Sequence, residues 1–109
     1  MGARPSSPAK IEILSPKNGD VVHGTSLHLK LALQNAKVVP ANTTDIVPNQ
    51  GHVHVLLDSK VVTMTFGLQQ TLHGLTPGSH LLEVEFVASD HAPFDPRVLA
   101  QPVTFEVKA

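Results

Sequence analysis

The chain contains no cysteine, no tryptophan and no tyrosine. The first absence excludes disulfides, thiolate metal sites and cysteine nucleophiles. The other two leave phenylalanine as the only aromatic residue, at 4% of the chain, so any core must be built from branched aliphatic side chains. A dominant charge is lacking too. Eight basic residues stand against nine acidic ones, for a formal net charge of −1 with histidine neutral. Without a basic patch, nucleic acid is not an expected partner. No run approaches the ~18 apolar residues of a membrane helix, so membrane insertion is not expected. Helical patterning is also missing: no stretch of about 11 residues keeps an i, i+3, i+4, i+7 apolar spacing free of proline and glycine.

What the chain does have is turns and alternation. Nine prolines and seven glycines in 109 residues imply frequent reversals. The 41% hydrophobic content is carried largely by valine and leucine, which favour strands. The length is that of one domain with one core. Ile11 and Ile13 open a first strand ending at Ser15-Pro16, and Lys17-Asn18-Gly19-Asp20 is a turn. Leu27, Leu29, Leu31 and Leu33 alternate with more polar neighbours in a second strand. After a long loop, 34–50, Val53, Val55 and Leu57 share one face of a third strand while His52, His54 and Leu56 share the other. Asp58-Ser59-Lys60 reads as a hairpin turn into Val61–Phe66. Gln70–Leu75 is a short strand, and Thr76-Pro77-Gly78-Ser79 is a turn with glycine third. Leu82, Val84, Phe86 and Ala88 alternate inward on a long strand. A loop, Ser89–Pro96, leads to a last strand with Val103, Phe105 and Val107 on one face, where Pro102 suggests an edge or bulge.

About seven short strands with turns between them predict an all-β fold, an immunoglobulin-like, fibronectin-III-like antiparallel sandwich over residues 10–109. Met1–Ala9 (MGARPSSPA) is polar and proline-rich. It reads as a flexible leader, or as a linker left behind a removed signal peptide or anchor.

Ile13–Asp20 (ILSPKNGD) and Leu75–Val87 (LTPGSHLLEVEFV) resemble the strands and turns of bacterial Ig-like modules. Gly51–Asp58 (GHVHVLLD), the Pro77-Gly78-Ser79-His80 turn and Asp90-His91-Ala92-Pro93 resemble motifs of small secreted bacterial domains of unknown function. The resemblance spans roughly Ile11 to Val107. It implies an extracytoplasmic Ig-like sandwich, periplasmic, secreted or surface-anchored, and brings no established activity.

His52 and His54 carry the sharpest chemical signal. Histidines at i and i+2 of a strand point the same way, about 6.5 to 7 Å apart at their origins, and neutral imidazoles suit copper or zinc. Further ligands are needed. In a sandwich the third strand runs antiparallel to the long strand, so His52 meets the Ser89-Asp90-His91 end. The candidate metal set is therefore His52, His54, His91, Asp90 and Glu85, with Asp95 nearby. A purely structural role is the leading reading, with these rings bonding to loop carbonyls or carboxylates. His80 is expected at the opposite end, beside Asp58; His23, His28 and His73 are expected on the surface. Asp58 four residues after His54 gives a partial likeness to the cupin pattern, which would instead bring His52, His54 and His80 together on iron, manganese or zinc inside a barrel.

No nucleophile elbow, phosphate-binding glycine loop or H-E-x-x-H is present. Met64 is a lone thioether, and Asn42-Thr43-Thr44-Asp45 is a polar loop that matches a glycosylation acceptor. The expected function is a non-catalytic binding or structural module, contacting another protein or belonging to a multidomain chain. The alternative is a small copper- or zinc-binding protein.

Overall fold

In the computed structural model the described residues are 4–39, 45–65 and 68–108, with residues 63–65 described by their backbone alone. The chain forms β1 (Lys10–Ser15), β2 (Val21–His23), β3 (Leu27–Gln34), β4 (Lys37–Val38) and β5 (Gln50–Leu57). It continues through β6 (Lys60–Thr65), β7 (Gln69–Leu72), β8 (Gly78–Ala88), β9 (Pro93–Leu99) and β10 (Val103–Lys108). No helix forms among the described residues, and none is long and apolar enough to cross a membrane.

Two sheets face one another. The smaller has the order β1-β3-β7, and the larger runs β2-β10-β8-β5-β4, with β6 also on β5 and β9 also on β8. The alternation seen in the sequence decides which side chains lie between them. Ile11, Ile13, Leu27, Leu29 and Leu31 come from the small sheet; Val53, Val55, Leu82, Val84, Phe86, Phe105 and Val107 come from the large one. All are buried. This is an immunoglobulin-like β-sandwich with its core in the expected place.

The centre of the large sheet is the β5–β8 pair. Its register runs from Gly51 opposite Ala88, through His52 with Val87 and His54 with Glu85, to Leu57 opposite Leu82. Both strands share an edge between two partners. One side of β8 holds β10 along residues 78–82 and β9 along residues 85–87. The far side of β5 holds β4 at its start and β6 beyond. The Asp58-Ser59 turn has positive φ at both residues (53° and 70°), as the tightest hairpin turns require.

Three expectations change. Ser89–Pro96 is not loop throughout: β9 begins at Pro93, paired irregularly so that its prolines cost few ladder bonds. The last strand is not an edge, because β2 pairs parallel to its outer side, and Pro102 lies just before it. The leader is not detached from Arg4 onward: Ala9 is buried and the Pro5 carbonyl accepts the Asp95 N–H at 3.0 Å. Asn42, Thr43, Thr44 and the side chain of Met64 lie outside the described residues.

Candidate functional site

The β5–β8 ladder has two ends: one gathers His52, His54 and His91, and the other holds a single histidine, His80. At the first, β8 closes into β9 by a tight turn in which the His91 N–H donates to the Ala88 carbonyl at 2.9 Å. His91 has φ 65°, a left-handed conformation that hairpins of this length usually assign to glycine. Arg4 holds the turn. Its Nη1 and Nη2 donate to the two Asp90 carboxylate oxygens at 2.8 and 2.9 Å, and its Nε donates to the Pro93 carbonyl at 3.0 Å. The Ala92 N–H adds a bond to Asp90 at 3.0 Å.

So held, His91 folds over the histidine face of β5. Its ring centroid lies 4.3 Å from that of His52 and 5.4 Å from that of His54. His54 Nε2 and His91 Nδ1 are 3.2 Å apart. The 2.2 Å by which 5.4 exceeds 3.2 is close to two ring radii, so these nitrogens face each other nearly head-on, as in an N–H···N hydrogen bond. His52 and His54 do leave β5 on the face away from the core, yet they are not open to solvent. His52 is 0% exposed, because the turn and its neighbours form a second cover over the sheet. On the opposite, core-facing side of β5, Gly51 stands where no side chain fits: a β-carbon would lie 1.9 Å from the Val87 carbonyl oxygen and 3.1 Å from the Phe86 ring.

The expected carboxylate ligands have other partners. Glu85 faces His54 across the ladder, but its buried carboxylate accepts two bonds from Arg97, at 2.6 and 2.9 Å. Asp90 is occupied by Arg4, which holds its carboxyl below the usual range. Asp95 is exposed. Among the described residues no group of three or more His, Cys, Asp or Glu stands ready to hold a metal ion. Burial lowers the His54 pKa; His91 acts in the same direction, Glu85 against it, and His52 with it. The ring is therefore kept neutral at pH 7.

At the other end sits His80, 8% exposed. Its Nδ1 lies 2.6 Å from Asp58 Oδ2 and its Nε2 2.7 Å from the Thr76 carbonyl. Both partners are acceptors, whereas a neutral imidazole has one N–H to give, so the bonded ring is an imidazolium. The Thr76 carbonyl and then the Asp58 carboxylate raise its pKa. Asp58 is lowered in turn by His80 and by the Leu81 N–H, which donates to Oδ1 at 2.9 Å. His80 is five residues from Glu85 along β8, about 16 Å at strand rise. The cupin-like convergence of His52, His54 and His80 is thereby excluded: the fold is an open sandwich, and the third ring belongs to its far end.

Arg4, Arg97 and Gly51 were missed in the sequence. One signal was available. The chain has two arginines beside six lysines, and each arginine forks onto a carboxylate, the geometry in which lysine is no substitute.

These features define the class, an Ig-like β-sandwich with three histidines gathered at one end of its central strand pair and a single buried histidine at the other. Residues 29–108 match the family described as a domain of unknown function (DUF4399), and the chain belongs to that family. In fold it is similar to the fibronectin(III)-like modules of Clostridium thermocellum CbhA: TM-score 0.66, 16% identity, covering 90% of this chain and 94% of that one. It is also similar to the PKD domain of human KIAA0319, with TM-score 0.53 and 15% identity over 98% of this chain and 87% of that one. No curated protein matches.

Proposed function

We propose that the domain is a non-catalytic extracytoplasmic module that spaces or joins parts of a larger chain and offers surfaces for protein contact. The observation that carries this reading is where the chain enters and leaves the sandwich. Arg4 packs at the β8–β9 turn, while β10 ends beside Gly78 and His23 at the opposite pole. The domain measures 48 × 24 × 21 Å, and entry and exit at opposite ends of an elongated body suit a unit set in series. The similar CbhA structures are themselves described as modules. The engagement of Glu85, Asp90 and Asp58 by Arg97, Arg4 and His80 supports the non-catalytic half, since ion pairing occupies the groups acid–base chemistry would use. The extracytoplasmic half rests on the resemblance of the histidine motifs to secreted domains.

Two copies joined head to tail test the spacing role. Solution scattering should give a particle roughly twice the 48 Å of one copy. A pair folded back to the length of one copy overturns it. A turnover carried by the purified domain and abolished by Glu85→Gln would remove the non-catalytic claim, and recovery of the native protein in the cytoplasm would remove the other.

A further inference from the structure

We propose that His54 Nε2 and His91 Nδ1 are paired ligands for a late first-row divalent metal, copper(II) or zinc(II), with solvent in the remaining positions. This goes beyond the module reading and stands without it.

The spacing comes first. Two imidazole nitrogens bound to one ion at about 2.0–2.1 Å are separated by about 3.3–3.4 Å at a tetrahedral angle and about 2.9 Å at a right angle. The observed 3.2 Å falls between these limits. A turn of about 40° by each ring, set by the 3.2 Å separation and metal–nitrogen bonds of about 2.0–2.1 Å, converts the head-on contact into convergence on an ion. The ring whose N–H fills the bridge must move that proton, through solvent, to its other nitrogen. No net proton is gained or lost.

Preorganisation is the second observation. His91 occupies a left-handed turn position where glycine would be free of steric cost. The turn is fixed by the Arg4–Asp90 fork and by the Ala92 N–H on Asp90. His52 packs behind His91 at 4.3 Å and limits its swing. A residue that strains its own backbone while being aimed at a second imidazole fits a ligand better than a brace. Both rings are half-buried, which leaves an approach from solvent.

The structure changes which pair does the binding. The i, i+2 pair of β5 is not the chelate, because His52 is sealed beneath His91; the ligands come instead from β5 and the β8–β9 turn. With two protein ligands, affinity should fall short of that of four-ligand structural zinc sites and follow copper(II) over zinc(II).

Calorimetric titration of the whole chain with zinc(II) alone, and with copper(II) alone, gives the first test. One ion per chain is expected, with Kd tighter than about 100 µM, since a weaker site would leave the folded state little stabilised at practical metal levels. On zinc(II) addition the ring resonances of His54 and His91 should shift, while those of His23, His28 and His73 stay in place. His91→Gly suits the turn conformation and should fold, yet lose binding at least tenfold. A triple variant, His23→Ala with His28→Ala and His73→Ala, should keep it. Binding weaker than about 100 µM, binding that survives His91→Gly, or shifts confined to the three surface histidines would each overturn the proposal.

Discussion

The two ends of the β5–β8 pair hold the same kind of side chain in opposite charge states. At one end His80 faces a carboxylate and a carbonyl, both acceptors, and carries a proton. At the other, His54 faces His91, and burial with a neighbouring imidazole keeps it neutral. The difference does not follow burial alone, since both rings are shielded. It follows what each ring nitrogen meets. A ring between acceptors must be cationic, whereas a ring facing another ring shares one proton and retains a lone pair to offer.

Breaking the neutral end has the largest expected effect. Gly51→Val drives a β-carbon into the Val87 carbonyl, a backbone atom that cannot rotate aside. Urea unfolding should show a loss of about 3 kcal/mol or more, the upper range of overpacking. A loss below about 1 kcal/mol would mean the strands separate easily there, contrary to the ladder described.

Arg97→Ala comes next. It strips the partner from a Glu85 carboxylate only 6% exposed, although the arginine itself is 62% exposed. About 2 kcal/mol should be lost, the range for leaving a buried acceptor unpaired. Arg97→Lys should restore part of it, since an ammonium replaces the charge and not the fork. Full recovery by lysine would show that charge matters there and geometry does not.

The charged end is sharpened by pH. His80 has a folded pKa above its unfolded value of about 6.5. Its stabilisation is therefore complete below about pH 6.5 and is lost as pH rises through the folded value. Asp58 has the opposite sense: its contribution is present above about pH 3.9 and lost as pH falls through its lowered folded value. The pair should stabilise most between those limits, and His80→Gln should flatten the alkaline decline in a denaturation series. Asp58→Ala should cost about 1 kcal/mol near pH 6, discounted because Asp58 is 47% exposed. An alkaline decline that persists unchanged in His80→Gln would deny that this ring is the proton's site.

Arg4→Ala is the smallest, about 0.5 kcal/mol, because the Arg4–Asp90 pair is partly solvated. Its effect should be local, raising amide exchange at Asp90–Ala92 and leaving Asp58 and Leu81 protected.

Much of this frame was legible beforehand. Period-two burial of Leu27–Leu31, Val53–Val55 and Leu82–Phe86 set the two faces, and antiparallel pairing of the third and long strands brought His91 toward His52 while sending His80 away. The second cover over His52 was not legible. It depends on Arg4 reaching Asp90 across 86 positions, which no local pattern announces. Glu85 and Asp90 looked like ligands because a carboxylate near histidines fits a metal site; their arginine partners sit on elements whose prolines hid them, the Arg4–Ala9 segment and β9. The interior position of β10 also escaped notice, because its outer neighbour β2 is only three residues long.

That short parallel contact has a mechanical consequence. Bonds from Gly19 to the Thr104 carbonyl, from Glu106 to that of Asp20 and from Gly24 to that of Lys108 tie the β2 region to β10 at 2.8 to 2.9 Å. Tension applied through the two poles would draw β2 back toward the Arg4 end and β10 out past Gly78. Strands running side by side in the same sense are then loaded in shear, and these rungs bear force together instead of unzipping in turn.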